Sequence, residues 1–333
     1  MLLPTQFHVW GGGSRPNAPS TAERCAQGVV ASVRCGFAKS CARHWFRRSF
    51  PDMARIEVKS VQPKVASVWV EIENITGGEI QRIYKTLDTL IDTEEQVSDA
   101  VAKALVFAAE LAPKANPSDL WHHVIYRHLL DLGYNDARWK RISGFALERA
   151  FVNIYEPRLE RHDLTLRIVK GPEATKALAQ IGLDVRATKV DLFAEDTDGI
   201  TSTVVGAVHV KSSLAERIQD DVPASLAFME HGLVSIVLTM DVKSFPPPHG
   251  DGVNYGELGG RSFEIDKARQ KRDYVEKHGQ FDGMFSYNLR TPSSRGKTPS
   301  GKRIYTLPLM EQQPDQLVRF LIERRDAILG KQK

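Results

Sequence analysis

The alternation of apolar and polar residues along the chain predicts an α/β protein. Short apolar runs of the kind that form buried strands lie at residues 164–169, 189–193, 204–210, 233–239 and 283–288. Apolar residues spaced three and four positions apart predict helices at residues 173–181, 215–231 and 315–329. Because strands alternate with helices, the expected fold class is α/β, with a central mixed β-sheet flanked by helices.

A ribbon and two helices are expected to precede this sheet. Alternating apolar residues between positions 54 and 74 predict paired strands. Helices are expected at residues 79–90 and 93–111. The sequence T-E-E-Q, which starts at Thr93, has the form of a capping box, in which two side chains satisfy free amides at a helix start. The pattern therefore predicts an N-terminal ribbon and helical region.

A third helical stretch contains two histidines that could bind a metal or pack in the core. Ser118 is the expected N-cap of this stretch. His122 and His123 are adjacent, and neighbouring positions on a helix point in different directions. Joint metal binding is therefore the less favoured interpretation, and packing around Trp121 is the expected one.

The chain divides into three parts by composition. Residues 1–52 are rich in Gly, Ser and Arg without clean periodicity. They are expected to be an unstructured extension or a misassigned start, and a true start at Met53 is favoured over a transit-type leader. Residues 53–135 are expected to form the ribbon and helical region, and residues 136–333 the core that contains the main sheet.

Charge and composition exclude several classes of protein. Hydrophobic residues make up 42% of the 333 residues, which is enough for a substantial core, and no apolar run has the length of a membrane span. The net charge is +4, but residues 1–52 carry seven basic against two acidic residues, so the rest of the chain is close to neutral. Nucleic-acid binding would therefore have to come from a local groove and not from a global field.

Cysteine usage points to a reducing compartment. All three cysteines, Cys25, Cys35 and Cys41, lie in the first 52 residues. A disulfide framework or a cysteine zinc site is therefore not expected in the rest of the chain. We expect a cytoplasmic protein that does not enter a membrane.

The candidate chemistry is carried by two neighbouring predicted strands. Asp191 lies at the centre of the run 189–193, and Lys211 directly follows the run 204–210. An aspartate and a lysine on adjacent strands are the layout of a metal-dependent phosphodiesterase site, in which the carboxylate holds Mg²⁺. The pair alone is a weak signal. The position two before the lysine is His209, and a neutral imidazole is a poor Mg²⁺ ligand.

A second carboxylate has to come from elsewhere in the chain. Glu148, Glu216 and Glu230 are the candidates, and Glu148 lies among apolar residues of a helix predicted at residues 143–155. Such a carboxylate is either half exposed or a placed functional acid. Glu216 and Arg217 open the helix after the lysine, where they could read cytosine and guanine edges. The alternative for that pair is a surface ion pair.

Four segments together carry a resemblance to a known family. They read NPSDLWHHVIYR, HVKSSLAERIQDDVPAS, DVKSFPPPHGDGVNYGELG and FSYNLRTPSS. These long, ungapped motifs resemble the CCGG-recognising group of type II restriction endonucleases, within the PD-(D/E)XK nuclease superfamily. The resemblance runs from about Met53 to Tyr305 and does not include residues 1–52. It implies that residues 136–333 form a PD-(D/E)XK-like catalytic and DNA-recognition core.

The resemblance also implies roles for individual residues. Asp191 corresponds to the metal-binding aspartate, Lys211 to the catalytic lysine and Glu148 to a displaced acid that also binds the metal. Ser213 corresponds to a serine of the active site. The recognition element is shortened to Glu216 and Arg217, without the first arginine of the family pattern. Where other members have their second acid, this chain has Ser225, which favours Glu148 and leaves Glu230 as an alternative.

The resemblance implies that the protein is a Mg²⁺-dependent enzyme that cleaves double-stranded DNA at a palindrome containing CCGG. A/CCGGT is the favoured site, and the flanking base pairs are left open. A homodimer on DNA and a companion DNA methyltransferase are expected. Further DNA contacts are expected from Arg141, Lys189, Lys243 and Ser244. The alternatives are an inactive sequence-specific DNA-binding protein and a repair nuclease of the same fold.

Overall fold

The computed structural model describes the chain in seven stretches. The first two stretches each contribute one strand to an antiparallel ribbon. The stretches are residues 52–58, 67–198, 202–214, 217–243, 253–259, 265–310 and 315–330, without the side chains of residues 217 and 265–269. Strand β1 (Met53–Val58) pairs with β2 (Val68–Glu73). The predicted ribbon is therefore confirmed, while the prediction for residues 1–51 lies outside the described residues.

Helices surround the main sheet and occupy most of the remaining described chain. They are α1 (Gly77–Thr93), α2 (Val97–Leu111), α3 (Pro117–Asp119), α4 (Arg127–Asp131), α5 (Asp136–Leu159), α6 (Gly171–Gln180), α7 (Arg217–Glu230), α8 (Ile265–Glu276) and α9 (Gln316–Leu329). A π-helical segment, Leu120–Tyr126, joins α3 to α4. Within the described stretches no helix is long and apolar enough to cross a membrane.

A mixed sheet of six described strands forms the centre of the fold. In order across the sheet they are β3 (Leu164–Ile168), β4 (Leu192–Asp196), β5 (Thr203–Lys211), β6 (Val234–Thr239), β7 (Gly283–Ser286) and β8 (Arg303–Thr306). Strands β3, β4 and β5 are antiparallel neighbours, and β5 to β8 run parallel. The predicted α/β class with a mixed sheet is confirmed.

The strand directions bring two predicted functional residues to the same edge of the sheet. Because β4 is antiparallel to β5, the start of β4 lies beside the end of β5, and Leu192 pairs with Val208. Asp191, directly before β4, therefore lies beside the last residues of β5, which end at Lys211. The sequence pattern predicts Asp191 at the centre of a strand. That detail is wrong, because Asp191 directly precedes β4.

Helix α5 is fixed to the sheet by buried aromatic side chains. Phe151 and Tyr155 are fully buried, and the Tyr155 hydroxyl lies 2.7 Å from that of Tyr287, just beyond β7. The ring of Phe151 lies 4.9 Å from the ring of Tyr287. This packing holds the helix that carries Glu148 at a set position against the sheet.

Two predicted helix starts are wrong. Thr93 ends α1, and its hydroxyl donates back to the carbonyl of Thr89; the capping box is formed instead by Thr76 and Glu79 at the start of α1. Asn116, and not Ser118, caps α3, because Pro117 takes the first helical position and the Asn116 side chain accepts from the Ser118 amide. A threonine with an acidic or amide residue three positions later occurs at both Thr76 and Thr93, and only packing selects between them.

The π-helical segment is buried along its whole length. His122 is 7% exposed and His123 is fully buried, and the two rings meet edge to face. The expected packing role of the histidines is thereby confirmed. Trp121 packs on Trp139 of α5, and its indole N–H donates to the Ser212 hydroxyl at 2.9 Å. The segment thus links α5 to the turn that follows Lys211.

The predicted regions 53–135 and 136–333 lie within one compact unit, Phe50–Lys333. Helix α5, which begins at Asp136, packs against α2 of the first region. The boundary between the two regions therefore separates elements of one body. Strand β8 and helix α8 were not predicted from the sequence pattern.

We predict that Gly206→Ala destabilises the protein and that Gly144→Ala does not. A Cβ at Gly206 in β5 would lie 2.6 Å from the carbonyl oxygen of Val234, whereas a Cβ at Gly144 in α5 meets nothing within 4 Å. The free energy of unfolding should fall by about 1–3 kcal/mol for Gly206→Ala. It should rise by about 0.5–1 kcal/mol for Gly144→Ala. Urea titrations measure both, and equal effects would contradict the close pairing of β5 with β6.

Candidate active site

Asp191 and Lys211 form a direct, largely buried ion pair at the edge of the sheet. The lysine Nζ lies 3.0 Å from Oδ2 of Asp191. The aspartate side chain is 18% exposed and the lysine side chain is 15% exposed. The same oxygen accepts a hydrogen bond of 2.7 Å from the Val210 amide. The two residues that the sequence pattern placed on neighbouring strands are therefore brought together.

Asp221 is a site residue that sequence reasoning missed. Its Oδ2 lies 2.8 Å from Nζ of Lys211, so the lysine lies between two carboxylates. Asp221 is on the second turn of α7 and its side chain is 7% exposed. The signal for it was the Asp-Asp pair whose second member lies ten residues after the lysine, but the direction of its side chain depends on where α7 begins.

The alternative second acid, Glu230, lies at the end of α7 and is exposed. Ser225, at the position where related enzymes are expected to have their acid, is buried and donates to the Gln280 carbonyl at 2.6 Å. The helix therefore presents Asp221 to the lysine.

His209 lies next to this cluster as a buried neutral side chain. It is fully buried, with Nδ1 3.8 Å from Oδ2 of Asp221 and Nε2 3.2 Å from the Ser235 hydroxyl. Burial lowers the pKa of His209, and the opposite effect of Asp221 does not overcome it. A neutral imidazole at this position packs behind the site, which agrees with its poor suitability as a Mg²⁺ ligand.

Glu148 reaches the same region from α5. It is 5% exposed, and its Oε2 lies 2.7 Å from Nζ of Lys170, which precedes α6. The pKa of Glu148 is raised, chiefly because the side chain is buried. The positive charges of Lys170 and Lys211 act in the opposite direction, and the negative charge of Asp191 adds to the rise. Since Asp191 and Lys211 both act on its charge, Glu148 shares their electrostatic environment.

The charges of the cluster leave a deficit of positive charge. Burial opposes ionisation of Asp191, but Lys211 and the Val210 amide outweigh it and lower the pKa of Asp191. Burial likewise opposes the charge of Lys211, but Asp191 and Asp221 outweigh it and raise the lysine pKa. Counting Glu148, the cluster contains three carboxylates but only two described lysine partners, Lys170 and Lys211. This excess of negative charge favours a bound cation.

The donor set fits a hard divalent ion that also binds substrate. In the described part of the chain, no three His, Cys, Asp or Glu side chains lie close enough to hold a metal ion by themselves. Mg²⁺ is usually held by one or two carboxylates together with waters and substrate phosphate. Asp191 and Glu148 could supply these carboxylates, and Lys211 would remain beside the ion as a fixed positive charge.

The expected DNA-binding residues lie on several different elements of the fold. Arg141 is exposed on α5, and Lys189 lies 3.7 Å from the exposed Asp220. Lys243 follows β6, and its amide donates to the side chain of Asn254. Ser213, which is expected in the active site and not among the DNA contacts, is half-buried two residues after Lys211.

Three other expected contacts cannot be placed. Glu216 and Ser244 lie outside the described residues, and so does the side chain of Arg217, whose backbone opens α7.

Comparison with known proteins identifies the family. No protein-family model matches the chain. The chain is 42% identical over 265 residues to the type II restriction enzyme AgeI of Thalassovita gelatinovora, a match that covers 76% of this chain and 94% of AgeI. This chain belongs to the AgeI family of type II restriction endonucleases. Members of this family are site-specific deoxyribonucleases, so the chain is an enzyme of that class.

A solved structure of AgeI supports the same assignment. A specific AgeI–DNA complex matches with a TM-score of 0.75 at 39% identity, covering 81% of this chain and 99% of that chain. A pre-specific BsaWI–DNA complex matches with a TM-score of 0.40 at 16% identity, covering 76% and 93%. The AgeI match confirms the restriction-endonuclease-like fold expected from the sequence.

We predict that Lys211→Ala destabilises the metal-free enzyme and that Mg²⁺ restores much of the loss. Removal of the lysine leaves Asp191 and Asp221 without their shared cation, so the free energy of unfolding should fall by about 3 kcal/mol. A divalent ion held by Asp191 and Glu148 would replace part of the lost positive charge. Urea unfolding with and without saturating Mg²⁺ measures both effects.

The matched control is Lys140→Ala. Lys140 pairs with Asp136 at 2.8 Å, but both side chains are more than half exposed. Its removal should cost less than about 1 kcal/mol and should not respond to Mg²⁺. Equal destabilisation of the two variants, or a Lys211→Ala protein that Mg²⁺ does not stabilise, would contradict the charge arrangement described above.

Proposed function

We propose that this enzyme cleaves double-stranded DNA at a palindrome containing CCGG, with A/CCGGT as the favoured site, by Mg²⁺-dependent phosphodiester hydrolysis. The observation that carries the proposal is the buried cluster in which Lys211 lies between Asp191 and Asp221, and in which the charges of Asp191 and Lys211 also act on the buried Glu148. Family membership supplies the reaction class. A cluster of carboxylates with a lysine at a sheet edge is suited to phosphate chemistry.

Asp191 and Glu148 would hold the metal ion. When bound, Mg²⁺ polarises the phosphate and lowers the pKa of the attacking water. Lys211 would remain protonated, because Asp191 and Asp221 raise its pKa, so it acts as a positive charge beside the phosphate and not as a base. It would stabilise the negative charge that develops in the transition state. Asp221 would hold the lysine in place from the side of α7.

Glu148 would bind the metal only when ionised. Burial raises its pKa above the ordinary value, so protons compete with the metal for this carboxylate as the pH falls. Ser213, two residues after Lys211, would orient the water or the phosphate with its hydroxyl group.

Recognition would come from the start of α7 and from contacts to the DNA backbone. Arg217 and Glu216 would read guanine and cytosine edges of CCGG in the major groove. Arg141, Lys189, Lys243 and Ser244 would contact the DNA backbone and set the register without reading sequence.

A homodimer would place these elements twice, since a two-fold protein matches a two-fold DNA site. A companion DNA methyltransferase that modifies the same sequence is the expected partner of the restriction system. Such a partner would protect the host DNA from an enzyme of this specificity.

Digestion of plasmid DNA followed by sequencing of the ends tests the proposal. With Mg²⁺ the enzyme should give fragments whose 5′ ends begin CCGG, and chelation of the metal should stop cleavage. Lys211→Ala should abolish cutting while retaining DNA affinity, because its expected loss of stability is smaller than the about 5–15 kcal/mol of a typical folded protein. Binding without any cutting by the unaltered enzyme would indicate an inactive binding protein instead.

Arg217→Ala is the matched variant for recognition, because it leaves the catalytic cluster unchanged. Without a bidentate bond to guanine, discrimination against altered CCGG sites should fall by about 1–3 kcal/mol for each base that Arg217 would read. A cleavage panel of single-base variants measures this discrimination. Unchanged preference would remove the recognition role of Arg217, and ends of random sequence from the unaltered enzyme would indicate a repair-type nuclease.

A further inference from the structure

Lys170 is a second cation of the active site. It lies between β3 and α6, and its Nζ is 2.7 Å from Oε2 of Glu148. The lysine side chain is 43% exposed, while that of Glu148 is 7% exposed. The lysine Nζ also lies 5.4 Å from the ring centroid of Phe145, which is itself 51% exposed. The carboxylate end of this ion pair is therefore buried, and the ammonium end is partly exposed to solvent.

A groove opens beside the exposed lysine of this pair. It has a volume of about 560 Å³, and its described lining includes Phe145, Lys170, Arg186, Thr188 and Val190. Among these described lining residues the charged side chains are cationic, and Val190 is the neighbour of Asp191 in the chain. The groove therefore combines a mainly apolar surface with two cations, Lys170 and Arg186, which is complementary to the sugars and phosphates of a nucleic-acid strand.

Lys170 and a divalent ion would compete for Glu148. A buried carboxylate needs a compensating cation, and without metal Lys170 supplies it. A metal ion bound to Glu148 replaces that compensation and repels the ammonium group at short distance. The lysine has a long flexible side chain, and the groove beside it is open, so the ammonium can leave without unfolding any element.

We propose that Lys170 has two binding positions in the catalytic cycle. Without a divalent ion it neutralises Glu148. With the ion bound, Lys170 turns into the groove. There it binds the phosphate that is adjacent to the scissile phosphate in the cleaved DNA strand. The inference rests on the proposed function, because it takes Glu148 as a metal ligand. It makes Lys170 a positioning residue that couples metal binding to the grip on the substrate.

Metal affinity without DNA is the first test. Lys170→Met removes the competing cation, so Mn²⁺ should bind about tenfold more tightly than to the unaltered enzyme by titration calorimetry. Because protons compete with the metal for Glu148, all variants are titrated at one pH. Lys176→Met is the matched control, since Lys176 is exposed on α6, and its Mn²⁺ affinity should be unchanged.

The salt dependence of DNA binding is the second test. In the Lys211→Ala background, which should not cleave, addition of Lys170→Met should reduce the slope of log affinity against log salt concentration by about 0.9 for each phosphate that Lys170 would otherwise neutralise. The reduction should occur with Mn²⁺ present and vanish without it, because Lys170 is then held by Glu148. A purely structural lysine would change neither slope.

The outcomes separate this inference from the proposed function. If the unaltered enzyme neither binds Mn²⁺ nor cuts DNA, the proposed function is wrong. If it does both, while Lys170→Met binds Mn²⁺ no more tightly than Lys176→Met, the role of Lys170 is wrong. Lys170→Gln, which retains a polar side chain, replaces the methionine variant should that protein fail to fold, and the same comparison then decides.

Discussion

The whole site depends on one constraint, which is that buried carboxylates must share a positive charge. Asp191 and Asp221 come from opposite sides of Lys211, and both lie within 3.0 Å of its Nζ. Neither carboxylate is open enough to rely on water for its charge. The lysine therefore stabilises the folded cluster. In the proposed function, the negative charge that remains on its three carboxylates would attract the metal ion.

The sheet topology creates this arrangement from residues that are distant in the sequence. The antiparallel pair of β4 and β5 brings Asp191 beside Lys211, and the helix after β5 returns Asp221 to the same lysine. Helix α5 carries Glu148 to the site because its aromatic residues are anchored on the sheet near Tyr287. The turn after the lysine is held by Trp121 of the π-helical segment. π-Helical geometry is often found near functional sites, and here it links α5 to the turn that follows Lys211.

Sequence reasoning was most successful where the signal was a run of residues. The apolar runs of β4 and β5 predicted the fold class and placed Asp191 and Lys211 on neighbouring elements, and the family resemblance agreed with the AgeI match. It failed where the direction of one side chain decided the result. Asp221 faces the lysine only because α7 begins at Arg217, and a shift of one residue would rotate it away.

Lys170 was missed for a related reason. A lysine before a helix is ordinarily a solvated residue, and no local pattern shows that a glutamate 22 positions earlier lies within 2.7 Å of it. The capping error at Thr93 has the same origin, since a capping-box sequence describes a possible cap while the packing of α1 decides which threonine is used. Long-range contacts, and not propensities, set these details.

A crystal structure of the enzyme with its DNA site and Ca²⁺ would show the ion and its ligands together. We expect an ion at about 2.3–2.6 Å from carboxylate oxygens of Asp191 and Glu148 and from a phosphate oxygen, with Lys211 still beside it. An ion bound elsewhere, with the ion pair between Glu148 and Lys170 intact in the DNA complex, would contradict this expectation.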